Sequence, residues 1–426
     1  MAYQPPPLLH GKRLLTWALV AAVLVLMPII FTQSFALSMM SQMGIAIIFA
    51  LSYNMLLGQT GMLSFGHAVY FGLGAFFSIH TLNAVGAGTF QWPVTLLPLI
   101  GGAAGLFFGV IFGYVTTKHS GTPFAMISLG IAEMVAACSL MFPTFFGGEG
   151  GISSDRVAGE PLFGFISYGP AIQVYYLIAG WCFVCMILMY ALTQTPLGRM
   201  ANAVRDNAER ARFIGYNPTR VRYIMLMLSS FFAGIAGSLA SINYELVTAE
   251  NVGVVTSGNV LLMSFIGGVG HFFGPIIGAT LVTFIQSALS SYTLAWLLYF
   301  GLFFLVMILF APGGIASLIT LHKPAWEVSQ VRRLVPSYIG AGLAGAVLLL
   351  GVIALVEMTY QVETKAEQSG TMMSLFGVSF DAGTVMPWVV SLCILFVGAL
   401  LLWIASRFVR ASWTEVAAVI NARRSA

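Results

Sequence analysis

The feature that most limits what this chain can become is a series of uninterrupted apolar runs. A run of about 20 apolar residues coiled as an α-helix matches the hydrocarbon core of a bilayer. Inside that core every backbone N–H and C=O must find its partner within the protein, which leaves helices or closed barrels. A barrel would show segments of about ten residues alternating apolar and polar, whereas these runs are continuous. Composition agrees: 59% of residues are hydrophobic and 8% are charged, against about 25% charged in soluble domains. The expected fold is an all-α polytopic membrane protein.

The runs fall at about 14–31, 36–57, 63–82, 93–116, 122–142, 173–193, 222–244, 258–269, 272–290, 293–310, 334–356 and 386–408. The eighth is short for a straight crossing and is followed by glycines, so it either spans or turns back. Basic residues test the count, because they gather on the cytoplasmic side of membrane proteins. With twelve crossings and the N-terminus inside, the inner loops hold Lys12, Arg13, Lys118, six arginines from Arg199 to Arg222, Lys323, Arg332, Arg333, Arg407, Arg410, Arg423 and Arg424. The outer loops hold Arg156 and Lys365 together with most of the acids, among them Glu149, Asp155, Glu160, Glu250, Glu363, Glu367 and Asp381. That asymmetry favours about 12 crossings with both termini cytoplasmic. Residues 1–320 are rich in glycine and in polar loops. Residues 321–426 read as an extension: a basic linker, two plain spans and an outer loop.

The inner loop at 195–222 has a pattern of its own. Met200, Val204, Ala208 and Ala211 recur at helical spacing, and Arg205–Glu209 and Asp206–Arg210 are opposite charges at i,i+4. Gly215 and then Pro218 end the pattern as helix stop signals do. The spacing predicts an amphipathic helix that either lies on anionic lipid or docks a partner. Glu209-x-Ala211-x-x-x-Gly215 matches the core of the coupling loop of bacterial ABC importers, with Arg210 where that loop carries its first alanine.

Several separated stretches together resemble the LivM-type permeases, the membrane subunits of branched-chain amino-acid ABC importers. They are SYNMLLGQTGMLSFGHAVYFGLGAF (Ser52–Phe76), FGGEGGI (Phe146–Ile152), the loop Gly198–Gly215 with SSFFAGIAGSLAS (Ser229–Ser241), GGVGHFFGPIIGA (Gly267–Ala279) and APGGI (Ala311–Ile315). The resemblance covers about residues 35 to 320 and leaves out the last hundred residues, roughly the extension. It implies a second, LivH-like permease subunit, two cytoplasmic ATPase subunits and a periplasmic solute-binding protein. ATP and Mg would be bound by the ATPase subunits. The chain lacks the Gly-x-x-x-x-Gly-Lys-Ser/Thr loop that cradles ATP phosphates. In this reading Arg205, Glu209, Ala211 and Gly215 form the ATPase-coupling loop of a transport subunit in a bacterial inner membrane.

Candidate pathway residues cluster at Gln59, Thr60, Ser64 and His67, in a glycine-rich stretch where a broken helix would expose backbone to a solute. Close packing through Gly72 and Gly74 is the plainer alternative there. Glu133 is the one acid placed well inside a span. A carboxylate at that depth costs about 3 kcal/mol, so Glu133 is expected to face protein or water, with Ser128 and Ser139 on the same span and no obvious partner in sequence. Glu149, Asp155 and Glu160 are candidates for contact with a binding protein. Cys182 and Cys185 read as small buried residues despite their CxxC spacing, and no metal or catalytic constellation and no nucleic-acid interface is expected. The solute expected for such a permease is a branched-chain or hydrophobic amino acid, or a relative such as urea or a short amide. An ion-driven secondary transporter of small polar solutes is the competing reading.

Overall fold

The computed structural model describes residues 11–157, 167–327, 330–365, 371–375 and 377–425. Sixteen α-helices follow one another in this part of the chain. They are α1 (Gly11–Ile30), α2 (Ser34–Thr60), α3 (His67–Gly86), α4 (Leu97–Thr116), α5 (Thr122–Met141), α6 (Pro143–Phe146), α7 (Ala171–Gln194), α8 (Pro196–Asp206), α9 (Ala208–Phe213) and α10 (Pro218–Tyr244). Then come α11 (Val254–Gly267), α12 (Gly274–Ser290), α13 (Trp296–Phe310), α14 (Gly314–Glu327), α15 (Val331–Tyr360) and α16 (Val385–Ser425). Two short antiparallel ladders complete it: β1 (Ile152–Ser153) with β2 (Leu246–Val247), and β3 (Met372–Leu375) with β4 (Val378–Asp381). The protein is an all-α polytopic membrane protein.

Each apolar run is helical, but the twelve-crossing count is not reproduced. Among the described residues eight helices are long and apolar enough to cross a membrane, or nine if the α13–α14 pair, bent by 41°, counts as one span. The runs at the start of the chain and at 258–290 become the shorter helices α1, α11 and α12. At a rise of 1.5 Å per residue, the 14 residues of α11 extend about 21 Å. The glycines that follow make a close turn: a Cβ on Gly278 would strike the carbonyl oxygen of Met263, and one on Gly267 that of Gly274. α11 and α12 therefore pack backbone to backbone.

The chain divides into two compact units. The first comprises Met1–Ala288 and Phe304–Ser317, the second Leu289–Phe303 and Leu318–Ala426. The division runs through α13 and α14 rather than falling at one point near residue 320.

In the first unit α10 is the central element, with 78% of its spanning window buried, against 33% for α5. It packs against α2, α3 and α4. Small residues permit that approach, because no hydrophobic drive brings helices together in lipid and close contact must do the work. Gly101 and Gly105 of α4 and Gly74 of α3 all face the backbone around Gly234 or Ser230 of α10. The packing reading of Gly72 and Gly74 thus describes them: a Cβ on Gly72 would meet Asn251 O at 2.8 Å and one on Gly74 the Gly234 Cα at 2.6 Å. Cys182 and Cys185 are buried in α7.

In the second unit α15 and α16 pair through Gly351 and Gly398, which lie against the backbone at Leu395 and Leu348. Trp413 Nε1 donates to the Tyr338 hydroxyl at 2.7 Å, and that hydroxyl lies 2.7 Å from His322 Nε2. Helix α15 continues past the expected end of its run and takes in Glu357, whose carboxylate accepts from Thr293 Oγ1 (2.7 Å) and the Tyr299 hydroxyl (3.0 Å). At the end of β4, hydrogen bonds from the Thr371 side chain and the Gly383 N–H hold the Asp381 carboxyl below its ordinary range.

Candidate functional site

The glycine-rich stretch is a helix break, and its geometry follows from one residue. Gly61 has φ +70°, a left-handed conformation that side chains other than glycine rarely take. There the chain turns back, so that the N–H groups of Gly61 and Met62 reach Leu57 O (3.1 Å) and Leu56 O (3.2 Å) in the last turn of α2. Residues 62–66 then run without regular structure until α3 opens at His67. Met62, Ser64 and Gly66 are buried. Irregular backbone at membrane depth survives only where protein satisfies it, and here two distant helices and α2 itself do so. Ser128 Oγ of α5 accepts from Phe65 N at 3.0 Å, Ser257 Oγ of α11 accepts from Ala68 N at 2.9 Å, and the Tyr53 hydroxyl of α2 donates to Ser64 O at 3.1 Å.

The four polar residues expected at this stretch have separate roles. Thr60 Oγ1 donates back to Leu56 O at 2.6 Å, and Ser64 Oγ accepts from Gly66 N at 3.3 Å. Gln59 is half-buried, and its Oε1 has no protein partner among the described residues, nor has Asn54 Oδ1. His67 is fully enclosed, with the rings of Phe49, Tyr53 and Tyr70 at centroid distances of 5.4, 5.2 and 6.0 Å. Its Nε2 lies 2.9 Å from Ser52 Oγ, which itself donates to Phe49 O at 2.7 Å. The hydroxyl has one proton and it is committed, so Nε2 must be the protonated nitrogen of His67. His67 anchors the start of α3 in the core.

The basic loop meets this break directly. Thr195 caps α8, accepting from Gly198 N at 3.3 Å, and Pro196 supplies the first residue. Gly198, Ala201 and Val204 face inward. The single amphipathic helix expected through Gly215 is two helices. Asn207, at φ −160°, leaves the helical path and its Oδ1 caps α9 by accepting from Arg210 N at 2.8 Å. A short amide side chain that bonds its own backbone competes with continuing the helix. The i,i+4 ion pairs expected across this point do not form. Arg205 pairs instead with its neighbour Asp206 at 3.0 Å, and no ion pair of Glu209 is found among the described residues. Arg205 also donates through Nη1 to the carbonyl of Gly58 in the last turn of α2, where carbonyls lack intrahelical donors. A residue of the loop is thus fastened to the helix end that the break creates.

The other residues expected in a coupling loop divide between inside and outside. Ala211 is buried. Gly215 has φ +91° and ends α9 as expected, and Tyr216 N then reaches Ala211 O at 3.0 Å. Glu209 points outward. Beside it stands a feature that the helical-spacing reading missed: Phe213 is 90% exposed and Ile214 64%. Two consecutive large apolar residues within a run of arginines were the available signal.

At the opposite end of α10, Arg156 is a clamp that sequence reasoning also missed. Its N–H donates to Glu245 Oε1 (2.8 Å), Nε to Tyr168 O (2.8 Å), Nη1 to Asn243 O (3.3 Å) and Nη2 to Gly169 O (3.2 Å). The fork joins the loop after α5 to the end of α10 and the start of α7. Lysine carries the charge without the planar fork. Arg156→Lys is therefore expected to lower stability by about 2 kcal/mol, the scale of hydrogen bonds to a charged group. Thermal unfolding in detergent measures it, and an unchanged midpoint would mean that the clamp is idle. Glu149 is exposed nearby, and so is Asp155, whose Oδ1 accepts from Val157 N at 2.8 Å. Glu160 lies outside the described residues.

Glu133 is the remaining pathway candidate, on α5. It stands on the exposed face of α5, whereas Ser128 and Ser139 are buried on other sides of the helix. Five residues of α-helix turn a side chain through about 140°, so Glu133 cannot share the face that Ser128 presents to the break.

Residues 35–312 match the family profile described as branched-chain amino acid transport system / permease component. The chain belongs to that permease family. The high-affinity branched-chain amino acid transport system permease protein LivM of Salmonella typhimurium is 26% identical over 293 residues, which is 64% of this chain and 67% of LivM. The fructose import permease protein FrcC of Rhizobium meliloti is 26% identical over 220 residues, 48% of this chain and 59% of FrcC. The probable branched-chain amino acid transport permease protein LivH of Methanocaldococcus jannaschii is 28% identical over 143 residues, 33% of this chain and 42% of LivH. No solved structure matches. As a member of this family the permease is a transport component, and the helix break with its attached loop lies within the matched residues.

Proposed function

We propose that this permease is one of two membrane subunits of an ATP-driven importer, and that its solutes are branched-chain or other hydrophobic amino acids delivered by a binding protein. The observation that carries the reading is the loop: an exposed Phe213–Ile214 tip beside Glu209, joined through Arg205 to the carbonyl end of α2. Exposed aromatic anchors are what a partner's groove takes hold of, and the Arg205 bond gives a pull on the tip a path to the break. The tip would dock a cytoplasmic ATPase subunit, which would bind ATP and Mg, with both termini on the same side in a bacterial inner membrane. Glu149 and Asp155 lie on the surface offered to the binding protein. The matched family profile is described as branched-chain amino acid transport, which favours an amino acid over a sugar.

Reconstitution tests this. The permease would be co-expressed with its neighbouring transport genes, placed in proteoliposomes and supplied with ATP and a candidate binding protein. Leucine uptake that depends on ATP is expected, with fructose excluded. Fructose uptake would move the solute class. Solute uptake driven by an ion gradient, with no ATPase subunit co-purifying, would replace the importer with a secondary transporter.

A further inference from the structure

The second unit holds a cleft of about 290 Å³ between the start of α13 and the end of α15. Its walls include Ala295 and Leu298 of α13 and Leu355, Val356 and Thr359 of α15, with Glu363 at its mouth. Ligand pockets run from about 300 Å³ upward, so the cleft has room for one narrow guest. Its width is set by bonds beside it. The Glu357 carboxylate takes hydrogen bonds from Thr293 Oγ1 and the Tyr299 hydroxyl, and Thr293 Oγ1 in turn accepts from Ala295 N at 3.1 Å. The start of α13 is thereby fixed to α15, and the spacing does not depend on what lies between them.

Along its length the cleft changes from apolar to acidic. Leu355 and Glu363 stand about 12 Å apart at the helical rise. The inner part is aliphatic, and Leu298 is 54% exposed, so on the flank of the α15 span the cleft lies open to acyl chains. At the mouth the groups are acceptors. Glu363 lies in one wider turn, Gln361–Lys365, that continues α15. Its side chain is exposed, and no ion pair of it is found among the described residues. The Thr359 hydroxyl commits its proton to Leu355 O at 2.8 Å, which leaves only lone pairs to offer a guest. The segment after the helix adds Glu367 and Asp381 against Lys365 alone. An anionic head is repelled by such a mouth. A trimethylammonium head brings charge without an N–H, whereas a primary ammonium brings charge and three donors.

We propose that this cleft binds a phospholipid with a primary-ammonium head, the ammonium held by Glu363 and Thr359 and one acyl chain laid along Val356, Leu355 and Leu298. Charge complementarity at the mouth and aliphatic walls below it select that occupant. A free amino acid carries its carboxylate on the same carbon as its ammonium and would bring it to the acidic end, whereas an ethanolamine head keeps its phosphate two carbons away. α15 lies beyond the residues that match the family profile, so the site belongs to the two-span extension and gives it a task, fastening the permease to aminophospholipid at one surface of the membrane. The proposal does not depend on the importer reading.

The test uses the full-length permease, purified in detergent with whatever subunits accompany it. It is incubated with phosphatidylethanolamine, phosphatidylcholine or phosphatidylglycerol of the same acyl chains, and retained lipid is counted by native mass spectrometry. Phosphatidylethanolamine is expected to be retained at least about tenfold more strongly than either of the others, because charge-assisted hydrogen bonds at the mouth read its head. Glu363→Gln is expected to bring it down to the level of phosphatidylcholine, and the exposed position of Glu363 leaves the fold intact. Lipid bound elsewhere on the complex cancels in that difference. Leu298→Trp fills the aliphatic part and is expected to lower phosphatidylethanolamine retention while the elution profile in size-exclusion chromatography stays that of the wild type. Equal retention of the three lipids by the wild type would overturn the proposal, and so would a preference for phosphatidylethanolamine that survives Glu363→Gln. Displacement of the lipid by added leucine would assign the cleft to a free solute and would also overturn it.

Discussion

Replacing Gly237 with valine is expected to leave little or no folded permease. Gly237 sits on α10 where it crosses α3, and a Cβ there would run into the carbonyl oxygen of Phe71, with Ala75 N only 3.1 Å away. Both obstacles are backbone, so no side-chain rotation relieves them. One helix would have to move off the other, and with it the contacts of Gly74, Gly101, Gly105 and Gly234 that bring α3, α4 and α10 together. Overpacking commonly costs about 1–3 kcal/mol and more where nothing yields. Folded proteins have only about 5–15 kcal/mol in hand. Size-exclusion chromatography of detergent-solubilised protein reads the outcome, with Gly180→Val as the control because a Cβ on Gly180 meets nothing within 4 Å. A symmetric peak at the wild-type position for Gly237→Val would show that α3 and α10 separate without harm and that the crossing is not tight.

Two substitutions in the basic loop are expected to fail in different ways. Phe213→Ala together with Ile214→Ala removes the exposed tip, and it is expected to weaken ATPase-subunit binding roughly 30-fold or more, since truncating an interface anchor costs about 2 kcal/mol or more. The permease fold should survive, because neither side chain is packed into it. Arg205→Ala leaves the tip in place and cuts the bond to the Gly58 carbonyl. Here the ATPase subunits are expected to bind as before, while solute moved per ATP falls about tenfold as the pull no longer reaches the break. Co-purification stoichiometry and uptake per phosphate released distinguish the two. Arg205→Ala coupling as well as wild type would show that force enters by another route. Loss of ATPase binding in Arg205→Ala would place that residue in the docking surface rather than behind it.

The sequence was informative where the cause is local. Runs of apolar residues set the helices, Thr195, Pro196, Asn217 and Pro218 open α8 and α10, and Gly215 closes α9 at a positive φ. Asn207 could have been read as well, since a residue that caps helices so often divides them. The charges on either side of it fit one continuous helix and mask that signal. The motifs also named the family, because they are spread across 35–312 and need no contacts to be recognised.

What required the tertiary structure is everything that depends on which side of a helix meets which neighbour. Helical hydrophobic periodicity separates a buried face from a watery one, but in lipid both faces are apolar and the signal fades. Hence the sequence shows Ser128, Glu133 and Ser139 only as residues of one span, and it is packing that turns Ser128 into the break and Glu133 outward. It grouped Thr60, Ser64 and His67 as one polar cluster, whereas each is bonded to nearby backbone or to Ser52. The groups that sustain the break, Ser128 and Ser257, stand 63 and 189 residues from the N–H groups they accept, and Arg205 is 147 residues from Gly58. Local sequence determined that the helix would break at Gly61; only the packing of distant spans decided what holds the break and what is fastened to it, because hydrogen bonds in a membrane must be satisfied by whichever chain segment the fold brings there.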